Sequence, residues 1–198
     1  YLPTAPPDGT STNNRDKAFH LDTDRKIYGG FIGTETALSQ RNAATNVTIL
    51  SGDFNDDDVV TGLGSTLSFS GNSENAYHVF VTANLTSAAV LDGFTIQRGH
   101  ADGSGSMTYS GQSLTRDQGA AGQLSTSNMA VSNCIFTENK SGNGGAIFNQ
   151  DASPSYTNCL FIKNMATYGG GMHGYNSPAT VTNCTFSGNN GTNGSAIN

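Results

Sequence analysis

The sequence contains no tryptophan, few charged residues and no long apolar run. Charged side chains make up 12% of the 198 residues, and the net charge at pH 7 is −6. A surface with so few cations cannot neutralise a run of phosphates, which excludes nucleic acid as a partner. No stretch approaches the roughly 20 apolar residues that a membrane helix needs. We therefore expect no membrane insertion of this segment.

Cysteine is also scarce, and its three copies lie at a fixed spacing. Cys134, Cys159 and Cys184 are each 25 residues apart. An odd number cannot form a complete set of disulfides, and no Cys-x-x-Cys pair or paired histidine indicates zinc. The even spacing favours a row of small buried side chains. These thiols should stay reduced, because parallel side chains that point the same way do not reach disulfide geometry.

A repeated motif surrounds each cysteine. It reads Asn-Cys-x-Phe-x-x-Asn in "NCIFTEN", "NCLFIKN" and "NCTFSGN", and a polar gap and a glycine follow each copy. Repeats of 20–50 residues are typical of solenoids. Cysteine and phenylalanine two positions apart indicate strands, whose alternate side chains face one way. Glycine, asparagine and proline interrupt any helical pattern. The sequence therefore predicts an all-β parallel β-helix with about three short strands in each coil.

Stacking predicts columns of identical side chains, because equivalent residues of successive coils lie roughly 4.8 Å apart. The predicted core column consists of Cys134, Cys159, Cys184, Phe136, Phe161 and Phe186. Two predicted asparagine columns consist of Asn133, Asn158 and Asn183, and of Asn139, Asn164 and Asn189. Asparagine tolerates the left-handed backbone of a tight bend, and stacked amides can hydrogen-bond along a column.

The whole chain, residues 1–198, is predicted to form one β-helix domain, as a segment of a longer chain. Residues 131–198 contain the regular 25-residue coils, whereas residues 1–99 contain irregular coils with long loops. In the irregular part, "KIYGGF", "VTILSG" and "HVFVT" indicate strands, and residues 34–42 predict one short helical turn. No motif fixes the coil register across residues 120–130.

An insertion separates the irregular part from the regular coils. "LDGFTIQRG" places Phe94 where later coils have cysteine and Ile96 where they have phenylalanine. Phe94 lies 40 residues before Cys134, which is one coil plus 15 residues. We assign the extra residues to a Gly/Ser-rich insertion at residues 100–119 and expect it to project from the rod and contact a partner, as loops on rigid scaffolds often do.

The motifs resemble those of a known family. "FTEN", "FIKN" and "FSGN" match a Phe-x-x-Asn motif, and "GGAI" at residues 144–147 matches a Gly-Gly-Ala-Ile motif. With "IYGGFIGTETALSQRN", "TILSGDF", "HVF" and "LDGFTI", they make the chain from Tyr28 onward similar to secreted bacterial β-helix proteins with polymorphic outer-membrane protein-type repeats. This resemblance implies a right-handed, pectate-lyase-like parallel β-helix at the cell surface, used as an adhesin or passenger segment.

Two functions remain open on such a scaffold. A polysaccharide lyase needs a base beside cations, and a hydrolase needs carboxylates on one face. The charged residues from position 131 onward are only Glu138, Lys140, Asp151 and Lys163. The sequence therefore favours a non-enzymatic extracellular or cell-surface rod. Its expected partners are copies of itself stacked end to end into a filament, or a host, cell-surface or glycan receptor. The alternative is a polysaccharide-binding or polysaccharide-degrading β-helix.

The densest run of acidic residues is "GDFNDDD". Asp53, Asn55 and Asp57 have the spacing that opens an EF-hand calcium loop, but Asp58 stands where that loop needs glycine. A full EF-hand is therefore excluded, and a solvated acidic turn is one interpretation. A looser calcium site is the other, since carboxylates suit a hard cation. Calcium is the one cofactor suggested by the sequence, with Asp53, Asn55, Asp56, Asp57 and Asp58 as candidate ligands.

Asn-x-Ser/Thr sequons are candidate glycosylation sites in a secreted protein. The candidate acceptors are Asn46, Asn84, Asn139, Asn190 and Asn193. A sixth sequon starts at Asn183, which we expect the coil to enclose.

Overall fold

The computed structural model describes all residues from Tyr1 to Asn198, and nearly all of its regular structure is short β-strand. Most strands belong to four parallel sheets, in which a strand pairs with its counterparts one coil earlier and one coil later. This arrangement is a parallel β-helix, and it confirms the fold predicted from the repeat. No helix in the structure has the length and apolar character needed to cross a membrane. The helical segments are 3-10 turns at Asn14–Asp16, Leu38–Gln40 and Gly64–Thr66.

Five coils, numbered 1 to 5 along the chain, supply the strands of the four sheets. Sheet 1 contains β1 (Phe19–Leu21), β6 (Phe80–Ala83), β12 (Gly122–Ser125), β16 (Ile147–Gln150) and β20 (Met172–Tyr175). Sheet 2 contains β2 (Lys26–Tyr28), β7 (Val90–Asp92), β13 (Ala130–Ser132), β17 (Ser155–Thr157) and β21 (Thr180–Thr182). Sheet 3 contains β3 (Thr48–Ser51), β8 (Phe94–Gln97), β14 (Ile135–Thr137), β18 (Leu160–Ile162) and β22 (Thr185–Ser187). Sheet 4 lacks a strand from coil 1 and contains β9 (His100–Ala101), β15 (Lys140–Ser141), β19 (Met165–Tyr168) and β23 (Asn190–Asn193).

Two antiparallel hairpins lie outside these sheets. The first, which we call the arm, leaves coil 1 after β3 and consists of β4 (Val59–Thr61) and β5 (Ser68–Ser70). The second leaves coil 2 after β9 and consists of β10 (Ser106–Tyr109) and β11 (Gln112–Thr115). Both hairpins occur once, so neither follows the repeat.

The arm lies along the side of the stack from the first coil to the last. Near its middle, the Lys140 ammonium group of coil 3 is 5.9 Å from the centre of the Phe69 ring. At its tip, the backbone N–H of Gly64 donates to the carbonyl oxygen of Gly188 in coil 5 at 2.9 Å. The side chain of Leu63 sits so close to Gly188 that a Cβ there would approach it to 2.9 Å. The arm thus joins two coils that do not otherwise meet.

The core is a continuous column inside the coils. Phe161 pairs in register with Phe136 and with Phe186. The ring centres of Phe136 and Phe161 are 4.8 Å apart, those of Phe161 and Phe186 are 4.5 Å apart, and all three rings are nearly parallel. Cys134 and Cys159 lie fully buried beside them, whereas Cys184 of coil 5 is only partly buried. Burial of this apolar column is the main force that holds the coils together.

The structure fixes the register that the sequence left open across residues 120–130. Gly122 pairs with Phe80 on one side and with Ile147 on the other, so β12 stands in line with its neighbours. Glycine fits this point because a Cβ on Gly122 would come within 2.3 Å of the Phe80 ring. Gly122 stands where β6 has Phe80 and β16 has Ile147, so β12 lacks the large apolar residue by which the strand could have been recognised in the sequence.

The insertion differs from the prediction in its bounds and its form. His100 pairs with Lys140 in sheet 4, and Gln118 bridges to Asn143. The extra residues are therefore 102–117 rather than 100–119. Instead of projecting from the rod, they form the β10–β11 hairpin, which packs on the outer face of sheet 1. The residues in this small second core are Ala18, Val81, Ala83, Met107, Tyr109 and Leu114.

Candidate functional site

One asparagine column lies inside the stack and completes the hydrogen bonding of its bend. Asn139 and Asn164 are fully buried, and Asn189 is 7% exposed. Oδ1 of Asn164 accepts the backbone N–H of Asn139 at 3.1 Å and its Nδ2–H at 3.0 Å, while Nδ2 of Asn164 donates to the Phe136 carbonyl oxygen at 2.9 Å. Asn189 repeats this pattern on Asn164. Each amide thereby pairs backbone groups that the bend would otherwise leave buried and unpaired.

The other asparagine column lies on the outside, at the bend between sheets 2 and 3. Asn133, Asn158 and Asn183 each adopt positive φ, near +50°, which asparagine tolerates better than most residues. Nδ2 of Asn183 donates to Oδ1 of Asn158 at 2.6 Å, and Nδ2 of Asn158 donates to Oδ1 of Asn133 at 3.3 Å. Nδ2 of Asn133 donates to the Asp92 carboxylate at 2.9 Å. The result is a ladder of exposed amides along the rod.

A groove of about 820 Å³ lies beside this ladder. One wall is the long loop between β2 and β3, residues 29–47, which we call the overhang. The later coils turn the same corner at Asn133 or Asn158, with no loop. Leu38 and Ala43 of the overhang face the outer side of sheet 3, where Ile135 and Leu160 form the floor.

Two hydrogen bonds close the overhang on itself, and one ion pair ties it to coil 2. Nη1 of Arg41 donates to the Gly29 carbonyl oxygen at 3.1 Å, and Nη2 forms an ion pair with the Asp92 carboxylate. The backbone N–H of Asn42 donates to the Gly30 carbonyl oxygen at 2.8 Å. The outer ladder ends at Asp92, so the same carboxylate anchors both the overhang and the amides. These contacts set the width of the groove.

The groove combines apolar and polar surface without free charge. Arg41 lines it but is already paired, and no carboxylate lines it. The arrangement can bind a ligand through aliphatic contacts and amide hydrogen bonds, and it offers no acid–base pair. Sequence reasoning missed this site. The sequence did contain a signal for it, the length of the connection between β2 and β3. That connection has 19 residues, 29–47, whereas the corresponding connection between β7 and β8 in coil 2 is the single residue Gly93.

The acidic run lies at the base of the arm, where the structure changes the predicted ligand set. Carboxylate oxygens of Asp53, Asp57, Asp58 and Glu74 lie within 4.8 Å of one another. Glu74 comes from the returning end of the arm and was not predicted. The Asp56 side chain is 95% exposed and lies against a neighbouring arginine instead. The exposed Asn55 contributes its backbone N–H to Asp53 at 3.2 Å.

The cluster carries more negative charge than its surroundings neutralise. Nη1 of Arg98 donates to Oδ2 of the buried Asp53 at 3.1 Å, the shortest ion pair in this group. Burial raises the pKa of Asp58 to about 6, and the charge of Asp53 adds to that rise. Burial and the nearby aspartates also raise the pKa of Glu74. Oδ1 of Asp58 and Oε1 of Glu74 are buried without a hydrogen-bond partner. Oxygen ligands of this kind fit Ca²⁺.

Two of the three cysteines are shielded from reaction in this fold. All three thiols are free. Burial raises the pKa of Cys134 to about 12 and that of Cys159 well above its usual value, which suppresses the nucleophilic thiolate. Cys184 is the more accessible thiol because it lies in coil 5.

The five predicted glycosylation acceptors differ in their exposure to solvent. Asn84 and Asn193 are exposed, and Asn46 and Asn190 are partly buried. The prediction for Asn139 is wrong for the folded chain, because this residue is fully buried and its Nδ2 donates to Asn164 and to backbone carbonyls. A sequon records residue types but not burial.

The motif of coil 3 decides how the chain relates to known proteins. Residues 133–150 match the family model of the Chlamydia polymorphic membrane protein repeat. This segment carries a polymorphic membrane protein repeat. The match confirms the resemblance stated from the Phe-x-x-Asn and Gly-Gly-Ala-Ile motifs. No curated protein and no solved structure matches the chain.

The geometry explains the residues of the Phe-x-x-Asn and Gly-Gly-Ala-Ile motifs in this repeat. Phe136 stacks in the core, and Asn139 belongs to the inner ladder. Gly144 has φ +63°, and a Cβ on it would lie 2.0 Å from the Ile147 carbonyl oxygen. A Cβ on Gly145 would lie 2.1 Å from the Gly170 carbonyl oxygen of the next coil. The paired glycines are thus required where the backbone turns tightly against its neighbour.

Proposed function

We propose that this chain is a non-enzymatic rod that acts outside the bacterial cell or on its surface, in adhesion or as part of a surface structure. The observation that carries the proposal is the polymorphic membrane protein repeat within the most regular part of the stack. The name of that family refers to membrane proteins of Chlamydia, which supports a place at the cell envelope.

The physical character of the stack suits a rod. The strands of coils 2 to 4 in sheets 1, 2 and 3 pair on both sides. Two amide ladders and a stacked aromatic column add contacts along the same axis. Segments with buried cores and paired backbones open rarely and resist proteolysis. A rigid scaffold of this kind can hold loops at a distance from its anchor.

The placement of the carboxylates favours binding over degradation of a polysaccharide. Glycoside hydrolysis needs two carboxylates that flank the scissile bond. The closest carboxylates here share one cluster at the base of the arm, whereas the groove lies beside the outer ladder and contains none. The groove therefore offers no acid and base to a polysaccharide-degrading reaction.

The proposal is tested by location and by adhesion. Antibodies against the β10–β11 hairpin should label intact bacteria that carry the chain, and beads coated with it should adhere to cultured epithelial cells. Beads coated with heat-unfolded chain serve as the control. Labelling of permeabilised cells only, together with adhesion no greater than that of the control beads, would overturn the proposal.

End-to-end contact between copies is a second part of the proposal. At coil 1, Phe19, Leu21 and Ile27 border an open cavity of about 180 Å³. At coil 5, Val181 and Ile197 are 36% and 46% exposed. These apolar surfaces and the unpaired strand edges beside them favour stacking of one copy on another. Light scattering on the purified chain at micromolar concentration measures this, and a stable monomer contradicts it.

A further inference from the structure

We propose that the groove between the overhang and sheet 3 binds an uncharged polysaccharide laid along the rod. The inference rests on the proposed adhesive function and names the ligand class for it. At about 820 Å³, the groove falls within the range of roughly 300–1,000 Å³ that ligand sites occupy. It is open along its outer side, which suits a chain ligand that extends beyond it.

The floor of the groove matches the apolar face of a sugar ring. Ile135 and Leu160 pair in register, point outward and are half-buried. The same outward column holds Thr95 before them and Thr185 after them. In coil 1 the column holds Ile49, which pairs with Thr95. Two aliphatic residues therefore lie next to each other in this column only in coils 3 and 4, under the overhang. They repeat at the strand spacing of roughly 4.8 Å, so a chain of similar rise can place successive rings on successive coils.

The edge of the groove matches hydroxyl groups. A primary amide has two N–H donors and two acceptor lone pairs. Asn158 uses one donor toward Asn133 and one acceptor toward Asn183, and its other positions have no protein partner. Asn133 likewise uses one donor toward Asp92 and one acceptor toward Asn158. Each rung of the ladder therefore presents a free donor and a free acceptor beside the apolar floor.

The charge of the groove argues for a neutral ligand. Arg41 is the one basic side chain in its lining, and Asp92 already neutralises it. The chain as a whole has a net charge of −6, which repels an acidic polysaccharide. An anionic sugar would have to break the Arg41–Asp92 pair, and this would also release the overhang.

The pairing of the floor strands argues against a peptide. An extended peptide gains affinity by adding a strand to a free sheet edge. Here β14 pairs with β8 and β18, and β18 pairs with β14 and β22. The floor offers side chains but no free backbone groups. Recognition must therefore come from aliphatic contacts and side-chain amides, which a polyhydroxylated ring satisfies better.

Titration calorimetry with two hexasaccharides tests the proposal. Cellohexaose is the neutral probe and hexagalacturonate the acidic one. Leu160→Thr removes half of the floor and copies the residue found at positions 95 and 185 of the same column. Ile162→Thr, on the same strand but outside the groove, is the matched control. Leu38→Ser changes the wall at a side chain that is 46% exposed. Thermal unfolding verifies that each variant is folded.

We expect wild-type chain and Ile162→Thr to bind cellohexaose alike, Leu160→Thr to bind about tenfold more weakly, and hexagalacturonate not to bind. Absence of cellohexaose binding, a preference for hexagalacturonate, or full affinity in both Leu160→Thr and Leu38→Ser would overturn the inference. The bead assay separates this failure from that of the proposed function. Adhesion that persists when the groove binds no neutral sugar leaves the rod an adhesin with a different site.

Discussion

Coils 1 and 2 differ from coils 3 to 5 in how the chain connects one strand to the next. In coils 3 to 5, each corner between sheets 2 and 3 is an Asn-Cys pair, and the columns of side chains continue without interruption. In coils 1 and 2, the corners expand into the overhang, the arm and the β10–β11 hairpin. The regular half concentrates stability in repeated contacts. The irregular half contributes the wall of the groove and the acidic cluster, and the regular half contributes the floor of the groove.

The largest expected effect concerns the regular half. Phe161→Ala removes the middle ring of the aromatic column, which is fully buried between Phe136 and Phe186. The free energy of unfolding should fall by about 3–5 kcal/mol, because the change leaves a cavity. Urea denaturation measures it, with Ile162→Thr on the same strand as the control. A midpoint shared by both variants would mean that the column does not hold the coils together.

The two ladders should differ in strength. Asn164→Ala leaves the Asn139 N–H and the Phe136 carbonyl without their partner inside the core, so we expect a loss of about 2–4 kcal/mol. Asn158→Gly on the outer ladder keeps a backbone that tolerates positive φ, and solvent replaces the lost amide contacts. Its loss should stay below about 1 kcal/mol. Equal losses in the two variants would contradict the distinction between inner and outer ladders.

Acid sensitivity should arise in the irregular half. Burial lowers the pKa of His78 to about 4, below its usual value near 6.5. The unfolded chain then binds the proton more readily, so stability is full above pH 6.5 and falls as the pH drops toward 4. Between pH 7 and pH 5 this amounts to about 2 kcal/mol. His78→Gln should flatten that part of the stability profile, and an unchanged slope would show that His78 is not its source.

The smallest expected effect concerns the acidic cluster, where calcium binding stays a prediction. With a dissociation constant near 1 mM, typical of weak extracellular sites, 10 mM Ca²⁺ should stabilise the chain by about 1.4 kcal/mol. Glu74→Gln should abolish the effect. Binding should weaken below pH 6, where the raised pKa of Asp58 leaves its carboxyl protonated. Titration calorimetry without heat at millimolar Ca²⁺ would rule out the site.

The regular half could be predicted from the sequence because its motif recurs in each of coils 3, 4 and 5. Phe136, Phe161 and Phe186 recur at one spacing, and a shared spacing in a solenoid means vertical contact. The single features of coils 1 and 2 have no second copy to align with. Glu74 joins Asp53 only because the arm turns back on itself, and no local pattern records that return. The groove was likewise hidden, because its floor and its wall lie about 100 residues apart in the sequence.

The contact between the tip of the arm and coil 5 changes how the stack should come apart. Coils of a simple solenoid touch only their neighbours, so an end coil can fray while the middle stays intact. Here the Gly64–Gly188 hydrogen bond ties a segment of coil 1 to the last coil. Detaching coil 5 therefore also frees the arm, which removes contacts from coil 3 and exposes the surface it covers. We therefore expect coil 5 and the arm to lose their structure together, so that the last coil frays less readily than the end coil of a simple solenoid.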